Sequence, residues 1–405
     1  MKRKTAYVLA ALLLLSAAAV PSTGAAKETG WPDKVKALVR DGSVLVTDPA
    51  GNVVLSQNPK KLLMPASTLK VATCAAALET LGPDYRFTTE CRLSREGDLY
   101  VVGRGDPYLI SEELAGLART LRDKGLQTVR NILLDDSFFQ PGLVLDGTAR
   151  SLQPYDAYNG ALCVNFNTIY ARINPKGEVE SAEPQTPLTD LARELALKSK
   201  KKGEVRFNLA ESPETCLLYA GDLIKAFLQL AGVQVAGQVR RTPKDPAEVP
   251  PFYLHRSSKP LSWLIGQLME YSNNFMTNQI FLTMGAEKFG PPADPDKSRR
   301  VMEDFFQATG IPPFRLEEGS GLSRQTQVTA LQMHAVLQVF QPYRRLLPRR
   351  GGAQIKTGTL RDVNALVGYL GPEGGEPYLV VILLNGAYRY DTRERILDLL
   401  EENLE

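Results

Sequence analysis

The chain has 405 residues, 43% of them apolar, with a formal charge of +3 and only two histidines. Three of its cations, Lys2, Arg3 and Lys4, precede an apolar run from Ala6 to about Val20 and a small-residue stretch at Ser22, Gly24, Ala25 and Ala26. This is the pattern of a cleaved secretory leader over 1–26, too short in its apolar part to favour an uncleaved anchor. Its removal brings the formal charge from +3 to zero, so no basic excess draws the mature chain to nucleic acid.

The remaining ~380 residues exceed one core of typical size and imply more than one domain. Cys74, Cys91, Cys163 and Cys216 belong to an exported chain in which either buried thiols or disulfides fit, and no Cys or His cluster has metal-ligand spacing. His255 and His334 are too few and too isolated to suggest a His-based triad, and neither a metal nor another cofactor is expected.

In chain order, Ser43 to Thr47 and Val53 to Leu55 flank a turn at Asp48-Pro49-Ala50-Gly51-Asn52, which predicts a β-hairpin. Met64-Pro65-Ala66-Ser67-Thr68-Leu69-Lys70 then opens an Ala-rich helix ending near Gly82-Pro83, with Ser67 and Lys70 in its first turn. From about Phe87 to Tyr253 the pattern changes to short strands and Gly or Pro turns, with one clear helix capped by Ser111 and stopped at Gly125. Lys198 to Lys202 reads as a solvated loop within it. Near the other end, Ala365 to Leu370 and Tyr378 to Leu384 are apolar strands, and Asp391 starts an amphipathic last helix. The expected fold is therefore α/β: an antiparallel sheet closed by both termini and flanked by helices over 27–86 and 254–405, with an inserted β-rich region of one or two subdomains at 87–253.

Three elements can carry chemistry. Residues i and i+3 share a helix face, so Lys70, if its ammonium is destabilised, can take the proton of the Ser67 hydroxyl. The helix start also offers N–H groups to an oxyanion. Ser272-Asn273-Asn274 supplies a hydroxyl and an amide two residues apart. Lys356-Thr357-Gly358-Thr359 precedes an apolar strand and can meet a substrate carboxylate with a cation and hydroxyls, while Gly358 allows close backbone approach and the Thr359 N–H a second oxyanion contact. Singly each has a plain alternative: a helix cap, a polar pair on a helix surface, a strand entry. Ser-x-x-Lys even recurs at Ser199 to Lys202.

Together and in this order, the three resemble the penicillin-recognising serine enzymes. The spacing of Ser67 and Ser272, with Val102-Gly103-Arg104-Gly105-Asp106-Pro107, Leu134-Asp135-Asp136-Ser137-Phe138-Phe139, Val164-Asn165-Phe166-Asn167 and Gly319-Ser320-Gly321-Leu322-Ser323-Arg324, is similar to the low-molecular-mass class C penicillin-binding proteins. That resemblance implies a D-alanyl-D-alanine carboxypeptidase or endopeptidase acting on peptidoglycan stem peptides and acylated by β-lactam antibiotics. It implies Ser67 as nucleophile, Lys70 as base, Ser272 and Asn274 as proton relay and amide anchor, and Lys356, Thr357, Gly358 and Thr359 as carboxylate and oxyanion site. It further implies a side-chain pocket holding Asp135 and Arg324. Glu318 departs from the Asp usual in the family, and its longer side chain is assigned no orienting role. Two other readings are a β-lactamase, for which the chain lacks a Glu-x-x-Leu-Asn segment and has Ser-Asn-Asn rather than Ser-Asp-Asn, and a catalytically weak cell-wall binding protein. The acidic last helix, with Glu394, Asp398, Glu401, Glu402 and Glu405, is unsuited to an anionic bilayer. A periplasmic or cell-envelope protein without a stable membrane anchor is expected after leader cleavage.

Overall fold

The computed structural model describes residues 30–149, 151–209, 212–242, 246–372 and 374–404. The leader expected at 1–26 lies outside the described residues, as does Glu405.

A six-stranded antiparallel sheet ties the chain ends together, in the order Arg349–Arg350, Ala353–Leu360, Val363–Leu370, Tyr378–Asn385, Ser43–Thr47, Val53–Gln57. Ser43–Thr47 lies against Tyr378–Asn385 with Ser43 opposite Leu383 and Thr47 opposite Leu379. The unbroken apolar runs of the two central strands follow from burial on both faces. Period-two alternation sends Leu366, Val380, Ile382 and Leu384 toward the terminal helices Trp31–Val39 and Thr392–Leu404, which supply Val35, Val39, Ile396 and Leu400. The intervening residues Ala365, Val367, Tyr369, Val381 and Leu383 join the larger core with the helices Lys70–Thr80, Leu261–Tyr271, Asn274–Phe289, Pro295–Thr309 and Ala330–Phe340.

Between residues 88 and 256 the chain forms further sheets. A five-stranded one runs Val239–Arg241, Ile132–Asp135, Leu99–Gly103, Thr88–Leu93, Pro251–Arg256, beside a three-stranded one made of Val179–Ser181, Thr168–Ile173 and Gly203–Asn208. Here the sequence reading is too poor in helix. Besides Ser111–Asp123, the structure has Asp190–Lys198, capped by the Thr189 side chain, and Pro213–Leu230, capped by Ser212 with Pro213 at its start. The second conceals itself through Gly221, a poor interior helix residue. A Cβ there would stand 2.2 Å from Val239 Cγ1 and 2.7 Å from Leu134 Cδ1, so the glycine is what lets the helix lie against the sheet. The cap of Ser111–Asp123 also differs from expectation. Ser111 is its first residue, and its N–H donates to Asn165 Oδ1 at 2.9 Å, a cap supplied from a distant segment.

Candidate active site

Ser67 lies in a 3₁₀ turn, Ala66–Leu69, that runs directly into the helix Lys70–Thr80. The expected i, i+3 contact survives this change of helix type: Lys70 Nζ donates to Ser67 Oγ at 3.1 Å. Ala66, just ahead of the serine, has a φ of 48°, a left-handed conformation costly for a residue with a Cβ. Gly321 presses on that turn so closely that a Cβ on it would lie 1.9 Å from the Ala66 carbonyl oxygen. The Gly-Ser-Gly segment thus braces the serine.

Lys70 is fully buried, and its Nζ also donates to Asn274 Oδ1 and to the Ser320 carbonyl, each at 2.7 Å. Burial pushes its pKa down from 10.5 to about 7, helped by the Lys356 ammonium and opposed by Glu318 and Cys74. A lysine in this state can be a base near neutral pH.

Asn274 reaches Lys70 because Ser272 and Asn273 turn one helix into the next. Ser272 closes Leu261–Tyr271 in the left-handed conformation (φ 52°, ψ 40°), and the Asn273 side chain accepts from Met276 N at 3.0 Å to start Asn274–Phe289. The motif therefore sits at a helix–helix corner, not on a continuous helix surface. Asn274 Nδ2 donates to the Tyr155 carbonyl at 3.2 Å. The Ser272 side chain is only partly exposed and makes no hydrogen bond to a described residue.

The strand Ala353–Leu360 delivers Lys356, 2% exposed, whose Nζ donates to the Thr357 carbonyl at 2.8 Å. Burial lowers its pKa from 10.5 to about 8, with Arg393 and Arg350 adding to the effect. Ile355 N donates outward to the Pro348 carbonyl at 2.9 Å, and strand alternation points the Thr357 and Thr359 N–H groups to that same edge. The Ser67 turn packs there. A Cβ on Gly358 would stand 2.6 Å from the Pro65 carbonyl oxygen and 3.0 Å from Ser67 N, so only glycine permits the approach.

Between Asp135 and Arg324 the described residues show no hydrogen bond or ion pair, and each is held by other partners. Asp135 ends the strand Ile132–Asp135, is 5% exposed and accepts from Ser137 N at 2.8 Å. Arg324 is exposed and donates to the Arg361 carbonyl at 2.6 Å, which sets it beside the end of the Lys356 strand.

Sequence reasoning missed Arg393 and Asn278 and undervalued Glu318. Arg393 Nη1 donates to the Gly358 carbonyl at 2.9 Å and to Thr359 Oγ1 at 2.7 Å from the last helix. Nothing in its local pattern distinguishes it from other surface arginines. Glu318 is fully buried, and Asn278 donates to it at 2.9 Å. The four cysteines are buried thiols without a disulfide, and no three His, Cys, Asp or Glu side chains among the described residues gather as metal ligands.

The model of the D-Ala-D-Ala carboxypeptidase 3 (S13) family matches residues 37–346. The chain belongs to that family. The Lys356 strand lies just beyond the matched stretch and pairs within the same sheet as Ser43–Thr47. A D-alanyl-D-alanine carboxypeptidase of Actinomadura sp. (strain R39) is 27% identical over 460 residues, covering 93% of this chain and 85% of the relative. D-alanyl-D-alanine carboxypeptidase DacB of Haemophilus influenzae is 23% identical over 401 residues, covering 82% and 83%. The crystal structure of penicillin binding protein 4 (dacB) from Haemophilus influenzae matches with a TM-score of 0.74 at 23% identity, over 92% of this chain and 98% of that one. The same protein complexed with a novel β-lactam matches with a TM-score of 0.69 at 21% identity, over 92% and 98%. Family and fold together make the chain a low-molecular-mass class C penicillin-binding protein.

Proposed function

We propose that the chain is a serine D,D-peptidase that forms an acyl-enzyme on Ser67 with peptidoglycan stem peptides ending in D-alanyl-D-alanine. The observation that carries this reading is the 3.1 Å contact from Lys70 Nζ to Ser67 Oγ, made by a buried lysine whose pKa is lowered to about 7.

Neutral Lys70 takes the Ser67 proton as Oγ bonds to the penultimate D-alanine carbonyl carbon. The oxyanion that forms is held by the N–H groups of Ser67 and Thr359. Lys356, with Thr357 and Thr359, holds the terminal carboxylate, and Asn274 anchors a substrate amide. The C–N bond breaks, terminal D-alanine leaves with a proton returned through Lys70 or through the unengaged Ser272 hydroxyl, and water hydrolyses the ester. A D-centred cross-link offers the same acyl group with a larger leaving amine, so endopeptidase action follows from the same chemistry. A β-lactam acylates Ser67 covalently, a reading supported by the β-lactam complex of the Haemophilus influenzae protein. Arg324, beside the Lys356 strand, and Asp135 are assigned to the stem-peptide side chain.

Export to the periplasm or cell envelope is supported by the basic start and apolar run of the leader. In the last helix, Ile396, Leu397 and Leu400 are buried against the sheet, which leaves no apolar face for a bilayer. No described helix is long and apolar enough to cross a membrane.

Mass spectrometry after incubation with benzylpenicillin, with peptide mapping, tests the reading. A penicilloyl adduct on Ser67 and D-alanine release from muramyl pentapeptide that Ser67→Ala abolishes are the expected results. An adduct elsewhere, or equal D-alanine release by Ser67→Ala, overturns it; fast antibiotic hydrolysis without a lasting adduct points to a β-lactamase.

A further inference from the structure

Of the three protein acceptors around the Lys70 ammonium, Ser67 and Asn274 are held by helix starts, but the Ser320 carbonyl belongs to a loop without regular structure. One side chain makes most of the hydrogen bonds that fix that loop. Glu318 Oε2 accepts from Ser320 N at 2.7 Å, Ser320 Oγ at 2.6 Å and Asn278 Nδ2 at 2.9 Å. Its Oε1 accepts from Gly321 N at 2.7 Å, Leu322 N at 2.8 Å and Ser323 N at 3.2 Å. The carboxylate is 0% exposed, and a buried charge is tolerable only when so fully hydrogen-bonded. The loop is also clamped at Gly319, whose N–H donates to Asn278 Oδ1 at 2.8 Å and whose carbonyl accepts from Thr73 Oγ1 at 2.7 Å. One peptide unit thus spans the two charges: its Ser320 C=O accepts from Lys70 Nζ and its Gly321 N–H donates to Glu318.

We propose that Glu318 is a positioning residue for Lys70, fixing the Ser320 carbonyl against Nζ and supplying the buried negative charge that receives the ammonium formed when the Ser67 proton is transferred. The charged and titratable groups facing Lys70 are Lys356 from the neighbouring strand, Cys74 one turn along its own helix, and Glu318. Lys356 favours the neutral amine and Glu318 the ammonium, so their balance sets both how much base is available and how strong it is. The Glu318 side chain binds the loop on both oxygens.

The inference rests on the D,D-peptidase reading, so the test begins with the benzylpenicillin adduct of the unaltered protein. Absence of that adduct from Ser67 fails the reading itself. The second-order acylation rate is then followed against pH for the unaltered protein, Glu318→Gln and Glu318→Asp, with thermal unfolding to confirm folding. In Glu318→Gln the plateau falls about tenfold or more and the acid limb moves to lower pH, because loss of the negative charge favours neutral Lys70 and weakens it as a base. In Glu318→Asp the charge remains, so the acid limb stays in place while the plateau falls. A folded Glu318→Gln protein whose acid limb does not move overturns the inference, whatever its plateau. If Glu318→Gln does not fold, Asn278→Ala, which removes one donor and leaves the charge, decides the positioning role: a lowered plateau supports it and an unaltered one overturns it.

Discussion

The ammonium of Lys356, carried on the central sheet, depresses the pKa of Lys70 on the helix that follows Ser67. Burial is the larger cause for both lysines, which come to about 7 and about 8 respectively. Neutral Lys70 is needed to deprotonate Ser67, and charged Lys356 to hold a carboxylate. Acylation by a carboxylate-bearing substrate should therefore rise as pH passes about 7 and fall as it passes about 8. In Lys356→Met the repulsion is gone, so the acid limb should move to higher pH; a pH–rate profile of benzylpenicillin acylation with the limb unmoved would show that the two lysines are not coupled.

At Gly358 the prediction is steric. Gly358→Ala places a methyl 2.6 Å from the Pro65 carbonyl oxygen and 3.0 Å from both Ser67 N and Thr68 N, where only backbone could yield. Overpacking of this kind costs about 1–3 kcal/mol. The variant should melt earlier and acylate at least about tenfold more slowly, since the displaced turn carries the nucleophile. Normal acylation in a destabilised variant would separate the packing from the chemistry.

Arg393 donates to Thr359 Oγ1, occupying a lone pair and leaving the hydroxyl proton for a ligand. Its guanidinium also helps hold the Lys356 pKa down. Arg393→Met should raise KM for a peptide with a free carboxylate by about tenfold, the effect of one charge-assisted hydrogen bond. The alkaline limb should move to higher pH as Lys356 keeps its proton longer. Steady-state kinetics on a D-alanyl-D-alanine peptide check both effects, and an unchanged KM would remove Arg393 from the site.

His334, far from Ser67 in sequence, contributes a destabilising share to the acid response. Its Nε2 is hydrogen-bonded to Thr47 Oγ1 at 2.8 Å, and burial lowers its pKa from 6.5 to about 4. The unfolded chain therefore binds a proton below pH 6.5 that the folded one refuses until about 4, and stability falls across that window as pH drops. The loss amounts to about 3 kcal/mol at most. Thermal unfolding of His334→Gln should be less sensitive to pH between these limits, and an identical slope would place the acid sensitivity elsewhere.

Much of this site was legible locally. The Ser67 and Lys70 contact depends on three residues of helical rise, which survives whether the turn is 3₁₀ or α. The unbroken apolar runs of the last strands announced a sheet buried on both faces, and the turn at Asp48 to Asn52 announced the hairpin. Gly221 hid the helix Pro213–Leu230 because its reason for being glycine lies on another element, the strand carrying Val239.

The sequence by itself determined the reactive residue types, their order and the family resemblance, because each motif is a short segment whose chemistry is written in consecutive side chains. Only the tertiary structure decided that Asn274, Ser320 and Lys356 surround one amine, that Glu318 ties down the loop reaching it, and that Arg393 steadies Thr359. Those facts depend on burial and on contacts between segments hundreds of residues apart. Desolvation and long-range charge, which bring two lysines near neutrality, have no local sequence signature.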